Sequence, residues 1–492
     1  MGRDVPAIVV SYADRRRYRE KVRRCLDVFA RMLSESRFTQ APQQVGLEIE
    51  FNLVDEAGAP SMRNAEALGV IADPQWAPEL GLFNLEINLA PRALSGDALA
   101  GLERSLTESV ARADRRARQL GIRLAMIGIL PSLREHDATE KAMSPNARYQ
   151  LLNEQICAAR GEEVRICIEG PERLLTFVDS IMPEAACTSV QCHLQVSPET
   201  FGSYWNAAQA IAGLQVALGA NSPFLFGREL WRETRITLFQ QATDTRSVEL
   251  QVQGVRPRVW FGERWITSVF DLFEENLRYF PALLPLCEDE DPVRELERGG
   301  TPGLGELSLH NGTVYRWNRP VYAVDDGEAH LRVENRVLPA GPTVIDTVAN
   351  AAFYYGLVTM LAEAERPIWT RMSFTAARDN LLEAARHGIE GRLYWPGLGE
   401  IPAAELTLRR LLPLAREGLR RWQVDTEHAE RLLGVIEGRC LLGRTGSTWQ
   451  TETVHLLEDR SGLDRDTALR EMTQRYLELM RTGEPVHNWP VG

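Results

Sequence analysis

The chain has 492 residues, 44% hydrophobic and 25% charged, the make-up of an ordinary folded protein with roughly two to four domains, or one large domain with additions. A net charge of −12 argues against long nucleic acid as a partner, and no run approaches about 18 uninterrupted apolar residues, so no membrane span is expected. The seven cysteines, Cys25, Cys157, Cys167, Cys187, Cys192, Cys287 and Cys440, are scattered without a Cys-x-x-Cys, which excludes a disulfide framework and a zinc knuckle and fits a reducing cytoplasm.

The first apolar run, Ala7-Ile8-Val9-Val10, is too short for a secretory segment. Residues 12–35 read as an arginine-rich amphipathic helix, with Arg15-Arg16-Arg17-Tyr18-Arg19 as its solvated face rather than an RNA-binding arm. Strand-like segments dominate from about 43 to 340, interrupted by helices over 97–121 and 205–219. Gly299-Gly300-Thr301-Pro302-Gly303-Leu304-Gly305 is the most loop-like stretch, a lid or an insertion. From Thr343 onward the pattern is almost wholly helical, with apolar residues recurring at three and four over 406–422, 429–436 and 469–480. The run from Gly443 to Gln450 reads as a turn between helices. This irregular order predicts an α+β fold with an antiparallel sheet, not a doubly wound one. The expected division is a helical segment over 1–42, a main domain over 43–395 and a helical extension over 396–492 packed on it.

Four predicted strands share one peculiarity. Over 45–52, Val45, Leu47, Ile49 and Phe51 fall on one face, and Glu48, Glu50 and Asn52 on the other. Over 82–89, Phe83, Leu85, Ile87 and Leu89 oppose Asn84, Glu86 and Asn88. Over 190–196, Val190, Cys192, Leu194 and Val196 oppose Gln191, His193 and Gln195. Over 330–338, Leu331, Val333 and Val337 oppose His330, Arg332, Glu334 and Arg336. A single strand of this kind is usually a sheet with one wet face. A wet face, however, favours Thr, Ser, Lys and Arg, whereas these positions are mostly Glu, Asn, Gln and His. Two glutamates two apart on one face repel unless a proton or cation intervenes, and a hard divalent cation held by carboxylate oxygens removes the conflict. Glu79, at the entrance to the second strand, is placed to close such a cage from a turn.

Only two lysines occur, Lys21 and Lys141, and neither lies in a P-loop or kinase context. Nucleotide phosphates would therefore fall to arginines and metal ions.

The blocks GLEIEF (46–51), E-x6-EINLAPR (79–92), TSVQCHLQV (188–196), ANSPFLFGRELWRETRI (220–236) and HLRVENRVLPAGPT (330–343) resemble the glutamate–cysteine ligase superfamily. The likeness is to its second glutamate–cysteine synthetase family, the bacterial carboxylate–amine ligases. It covers about 45–390 and implies the glutamine-synthetase-like catalytic fold, a curved antiparallel sheet forming a funnel with helices outside. It implies metal ligation by Glu48, Glu50, Glu79, Glu86, His193 and Glu334. Arg235 and Arg336 would face phosphate or a substrate carboxylate, with Arg92, Asn88 and Gln191 as further substrate- or phosphate-binding positions. The implied cofactor is Mg²⁺, two or three ions with Mn²⁺ able to substitute, and ATP is the co-substrate. The implied small-molecule partners are glutamate and an amine such as cysteine.

The implied reaction phosphorylates the γ-carboxylate of glutamate and lets an amine displace the phosphate. Cys192 faces away from His193, so no Cys–His nucleophilic pair is expected. Alternatives are a ligase for another carboxylate or a non-cysteine amine, a guanidino phosphotransferase, and a catalytically idle binding module. A requirement for an amine acceptor in ADP release separates the first from the second, and any turnover excludes the third. The acceptor, the true donor and the oligomeric state stay open.

Overall fold

A computed structural model describes residues 11–39 and 43–491; the apolar run at 7–10 lies outside them. The first described element, α1 (Tyr12–Ser34), starts at a capping box in which Ser11 and Asp14 bond reciprocally. It buries Tyr18, Val22, Cys25, Phe29 and Met32 and leaves Arg16, Arg17 and Arg19 in solvent, so the arginine run is a wet helix face.

The four alternating segments form neighbouring strands of one sheet. Its main strands are β1 (Gln44–Val54), β2 (Trp76–Pro78), β3 (Asn84–Asn88), β4 (Ser189–Val196), β5 (Asn318–Asp325) and β6 (Glu328–Pro339). They lie in the order β5–β6–β4–β1–β3–β2, antiparallel throughout, and short strands Arg92–Ala93 and Arg123–Ala125 add to β1. Strand β3 is shorter than expected because Leu82 and Phe83 form the turn that Asn84 closes onto the Gly81 carbonyl. Register matches polar to polar. Glu50 pairs with Glu86, Glu48 with both Asn88 and Gln191, and Glu334 with His193. Strand β6 carries one extra residue against β4 between Asn335 and Leu338, a bulge at Arg336 and Val337.

The other face carries Leu47, Ile49, Phe51, Leu85, Ile87, Cys192, Leu194 and Val333, all fully buried. Helix α3 (Phe201–Gly219) packs on the β5–β6 end of it and is itself buried all round, as its apolar composition on every side requires. Three further helices frame the sheet's polar face or its helical cover: α2 (Ala147–Arg160), α4 (Thr234–Ala242) and α5 (Gly305–Asn311). Beyond β6, α6 (Val344–Ala362) is long and apolar enough to cross a membrane by composition, but most of it is buried in the protein core. Tyr355 on α6 donates to the Gly46 carbonyl at 3.0 Å, tying this helix to β1.

The C-terminal part is helical apart from one departure. A hairpin, Arg392–Trp395 with Gly399–Pro402, interrupts the expected helices. Pro396 and the left-handed Gly397 and Gly399 force the turn, and Tyr394 and Trp395 favour strand. Helices Thr426–Leu442 and Gly446–Ser461 are separated by a turn capped by Gly443 and Thr445, as read from the sequence. The Arg439 guanidinium bonds Asp346 at 2.7 Å and Asn350 at 2.6 Å, a buried clamp between the C-terminal helices and α6.

Helix α7 (Leu412–Arg421) crosses α6 at two glycines. A Cβ on Gly418 would collide with the Gly356 carbonyl, and one on Gly356 with the Ala415 carbonyl. Gly418→Ala is therefore expected to destabilise by about 1–3 kcal/mol, since the helix backbones must part. Urea unfolding measures this; an unchanged midpoint would show that the helices separate freely.

Candidate active site

The polar sheet face opens into a cavity of about 940 Å³. Alternation along β1 and β3 projects Glu48, Glu50 and Glu86 to this side, and the turn before β3 brings Glu79. One carboxylate oxygen from each of Glu50, Glu79 and Glu86 lies within 4.8 Å of the others, the spacing of a site for a metal ion. Glu50 is fixed by the Ser189 amide at 2.6 Å and by Gln191 Nε2 at 3.2 Å. Asn88 Nδ2 donates to Glu86 Oε1 at 2.7 Å, so Asn88 orients a carboxylate and does not line the cavity.

Burial, then repulsion from Glu86, pushes Glu50 up to about 7. Burial, then Glu50, pushes Glu79 up to about 7 as well. Burial, with Glu79 and Glu48, raises Glu86 well above the usual carboxylate range. Three acids gathered this way hold one another's pKa up, against the smaller pull of Arg336 on Glu50 and Glu79.

A second group lies beside them. His193 is nearly buried behind the cavity wall, its Nε2 3.1 Å from Glu48 Oε1 and without an aligned hydrogen bond. Burial raises Glu48, but His193 outweighs it and holds the carboxyl at about 2. Arg332 Nε donates to His193 Nδ1 at 3.1 Å, which puts the ring proton on Nε2. Glu334 is clasped by Arg319 Nη2 at 2.9 Å and by Arg336 Nη1 at 2.7 Å. Burial would raise it, yet Arg319 and Arg336 together hold it far below the usual range. The same Arg336 nitrogen reaches Gln191 Oε1 at 3.2 Å, and burial notwithstanding, Glu334 keeps Arg336 firmly charged.

Arg235, in the first turn of α4, is buried on the cavity wall with Nε on Glu233 at 3.0 Å and Nη2 on the Val337 carbonyl in the β6 bulge. Glu233 in turn accepts from Asn221 and Ser222, so the 220–236 block is a single bonded unit around this guanidinium. Arg92 does not join the group; it is exposed and bonds Ser105.

The structure adds Arg319, Arg332, Glu184, Arg148 and Tyr149 to the cavity wall. Arg319 was legible. Asp326-Gly327, both at positive φ, is a two-residue hairpin turn, and counting back from it sets Arg319 opposite Glu334. The Gly299–Gly305 stretch also reaches the cavity through Gly303 and Gly305, with Glu290 binding the Gly303 and Leu304 amides.

The raised pair has a thermal signature. A carboxyl whose folded pKa exceeds its ordinary value of about 4.5 contributes stability below that value and loses it as pH rises through the folded one. Glu50 and Glu79 therefore destabilise the metal-free protein between about pH 4.5 and above 7. Mg²⁺ is expected to raise the melting temperature more at pH 8 than at pH 6, measured by scanning calorimetry with and without the ion. An equal or smaller rise at pH 8 would speak against these acids as its ligands.

The architecture has counterparts among solved structures. Glutamate–cysteine ligase from Francisella tularensis, solved in complex with AMP, superposes with a TM-score of 0.55 at 13% identity, covering 91% of this chain and 90% of that one. A bifunctional glutathione synthetase from Pasteurella multocida aligns with a TM-score of 0.47 at 11% identity, over 93% of this chain and 55% of that one. Among curated proteins, none matches the chain in sequence. The sequence model of glutamate-cysteine ligase family 2 matches residues 44–474, and the chain belongs to that family.

Proposed function

We propose that the protein is an ATP-dependent carboxylate–amine ligase of the glutamate–cysteine ligase type, forming a γ-glutamyl amide through a γ-glutamyl phosphate. The observation that carries this reading is the convergence of Glu50, Glu79 and Glu86 at one point of a cavity whose adjoining wall is arginine. Carboxylates alone suit a hard cation, and arginines beside them suit phosphate.

Glu50, Glu79 and Glu86 would hold one Mg²⁺; Glu48, Glu334 and His193 would be the donors for another. For His193 Nε2 to coordinate, its proton must shift to Nδ1 and Arg332 must turn away. Mg²⁺ bound there would supply charge neutralisation for the transferred phosphoryl group. The protein's own part is positioning. Arg336, pinned between Glu334 and Gln191, presents a fixed positive charge beside the acids; Arg235 does so from α4. No side chain need form a covalent intermediate, since phosphorylation makes the carboxyl an acceptor of the amine. Gln191 positions both Glu50 and Arg336 and so couples the two groups.

The test is ADP release with glutamate and a panel of amines, with the product identified by mass spectrometry. We expect ADP only when both a carboxylate and an amine are present, with γ-glutamylcysteine from glutamate and cysteine. Product with another amine alone keeps the reaction class and discards cysteine. Acceptor-independent phosphorylation of a guanidino compound would overturn the reading.

A further inference from the structure

A guanidinium carries donors and no acceptor, so every ring nitrogen bonded to it must supply a lone pair. Arg332 faces two rings. Its Nε donates to His193 Nδ1 at 3.1 Å and its Nη1 to His330 Nε2 at 3.1 Å. One side chain therefore fixes both tautomers. His193 carries its proton on Nε2, turned to Glu48 Oε1 at 3.1 Å. His330 carries its own on Nδ1, turned to Asp325 Oδ2 at 3.6 Å. Strand spacing builds the group: His330, Arg332 and Glu334 alternate along β6, and Arg332 stands opposite Gln195, diagonal to His193, which stands opposite Glu334.

This tautomer is the wrong one for ligation. A histidine that binds a metal presents a bare nitrogen to it and donates its other N–H to an acceptor behind the ring. Here the group behind the ring is a donor, and the nitrogen beside Glu48 holds the proton. That Nε2 is buried and, among the described residues, has no aligned hydrogen bond, which is costly for a polar atom. With its lone pair outward the same atom would stand next to a carboxylate as a metal donor. Arg332 blocks this by using the Nδ1 lone pair. It is only half-buried and lines the large cavity, so it has room to swing away.

We propose that Arg332 is a positioning residue, a latch that holds His193 in the tautomer that cannot ligate, and that its release into the cavity opens the Glu48–His193 position to a divalent cation. On release the two Arg332 hydrogen bonds break and the ring proton passes from Nε2 to Nδ1 through water. No proton is taken up or lost by the protein. His330 is the outer half of the latch: it accepts from Arg332 on one nitrogen and faces Asp325, beside the β5–β6 turn, with the other. The inference rests on the ligase reading, in which Glu48 and His193 are metal donors, and adds that their position is shut in the free protein and names the residue that shuts it.

Mn²⁺ alone is the probe, titrated into the metal-free full-length protein and followed by loss of the free-ion EPR signal. The position is identified as the Mn²⁺ that disappears in His193→Gln. Arg332→Met removes the latch; His330→Phe removes only its outer anchor and keeps the Arg332 charge. The expected result is a Kd at that position lower by about 10- to 30-fold in R332M and by about 3- to 10-fold in H330F, the worth of two hydrogen bonds and of one. A His193-dependent ion that appears only in the variants supports the latch equally. With ¹⁵N-labelled histidine, NMR of the metal-free protein is expected to show the Nε2–H form of His193 in the wild type and its loss or mixing in R332M. An unchanged Kd in R332M, or an unchanged His193 tautomer, would overturn the latch. So would tightening in R332M with none in H330F, since charge alone would then be at work. Should R332M fail to fold, H330F decides on its own. If Mn²⁺ binds yet none of it depends on His193 in any form, the latch fails while the ligase reading keeps its Glu50–Glu79–Glu86 site. If no form binds Mn²⁺, both fail.

Discussion

Glu50→Gln is expected to cost about a thousandfold in ATP turnover while leaving the fold intact. The carboxylate sits directly opposite Glu86 in the sheet register and belongs to the Glu50–Glu79–Glu86 convergence. Glutamine keeps the shape and one carbonyl oxygen but removes the charge that a divalent cation needs. Loss of a metal's neutralising charge at a phosphoryl group amounts to several kcal/mol, and each 1.36 kcal/mol is about tenfold in rate. Stability moves the other way. Removing one of three mutually repelling acids relieves the metal-free protein, so its melting temperature should hold or rise at pH 8. A coupled ADP assay at saturating Mg²⁺, read beside a thermal melt, checks both. Near-normal turnover would remove Glu50 from the metal site.

Arg336→Lys is the second large effect, expected at about a hundredfold in kcat. One Arg336 nitrogen serves both Glu334 and Gln191, and the rest of the planar fork remains for the cavity. A lysine can replace the charge and cannot reproduce the fork. Arg336→Met should additionally destabilise by about 3–5 kcal/mol, because it leaves Glu334 buried with Arg319 as its one remaining bonded guanidinium. Comparing the two separates charge from geometry. If lysine restores full activity, Arg336 contributes charge alone; if both variants are active, it lies outside the reaction.

Much of this site was readable because a strand alternates every second residue. That period placed Glu48, Glu50, Glu86, Gln191, Glu334 and Arg336 on one face, and the pairings of β1 with β3 and β4, and of β4 with β6, set those faces side by side. Alternation carries no information beyond the end of a strand. Arg92, just past β3, therefore falls outside the group despite lying in the same sequence block. Glu184 and Arg148 sit on a short helical turn and at a helix start, where no periodicity points toward a distant cavity. The Arg392–Pro402 hairpin was missed for the opposite reason: long helical periods on both sides masked a brief run governed by Pro396, Gly397 and Gly399.

The matched register of β1, β3, β4 and β6 has a mechanical meaning as well as a chemical one. Sliding β1 by one residue would carry Glu48 and Glu50 into the greasy layer on the sheet's other face and turn Leu47 and Ile49 toward the cavity. The oily side of each strand thus acts as a ratchet that locks the acids in an arrangement they would otherwise escape by repulsion. Core and chemistry are two readings of the same residues' spacing. Laboratory evolution of this protein should find very little freedom within the strands themselves.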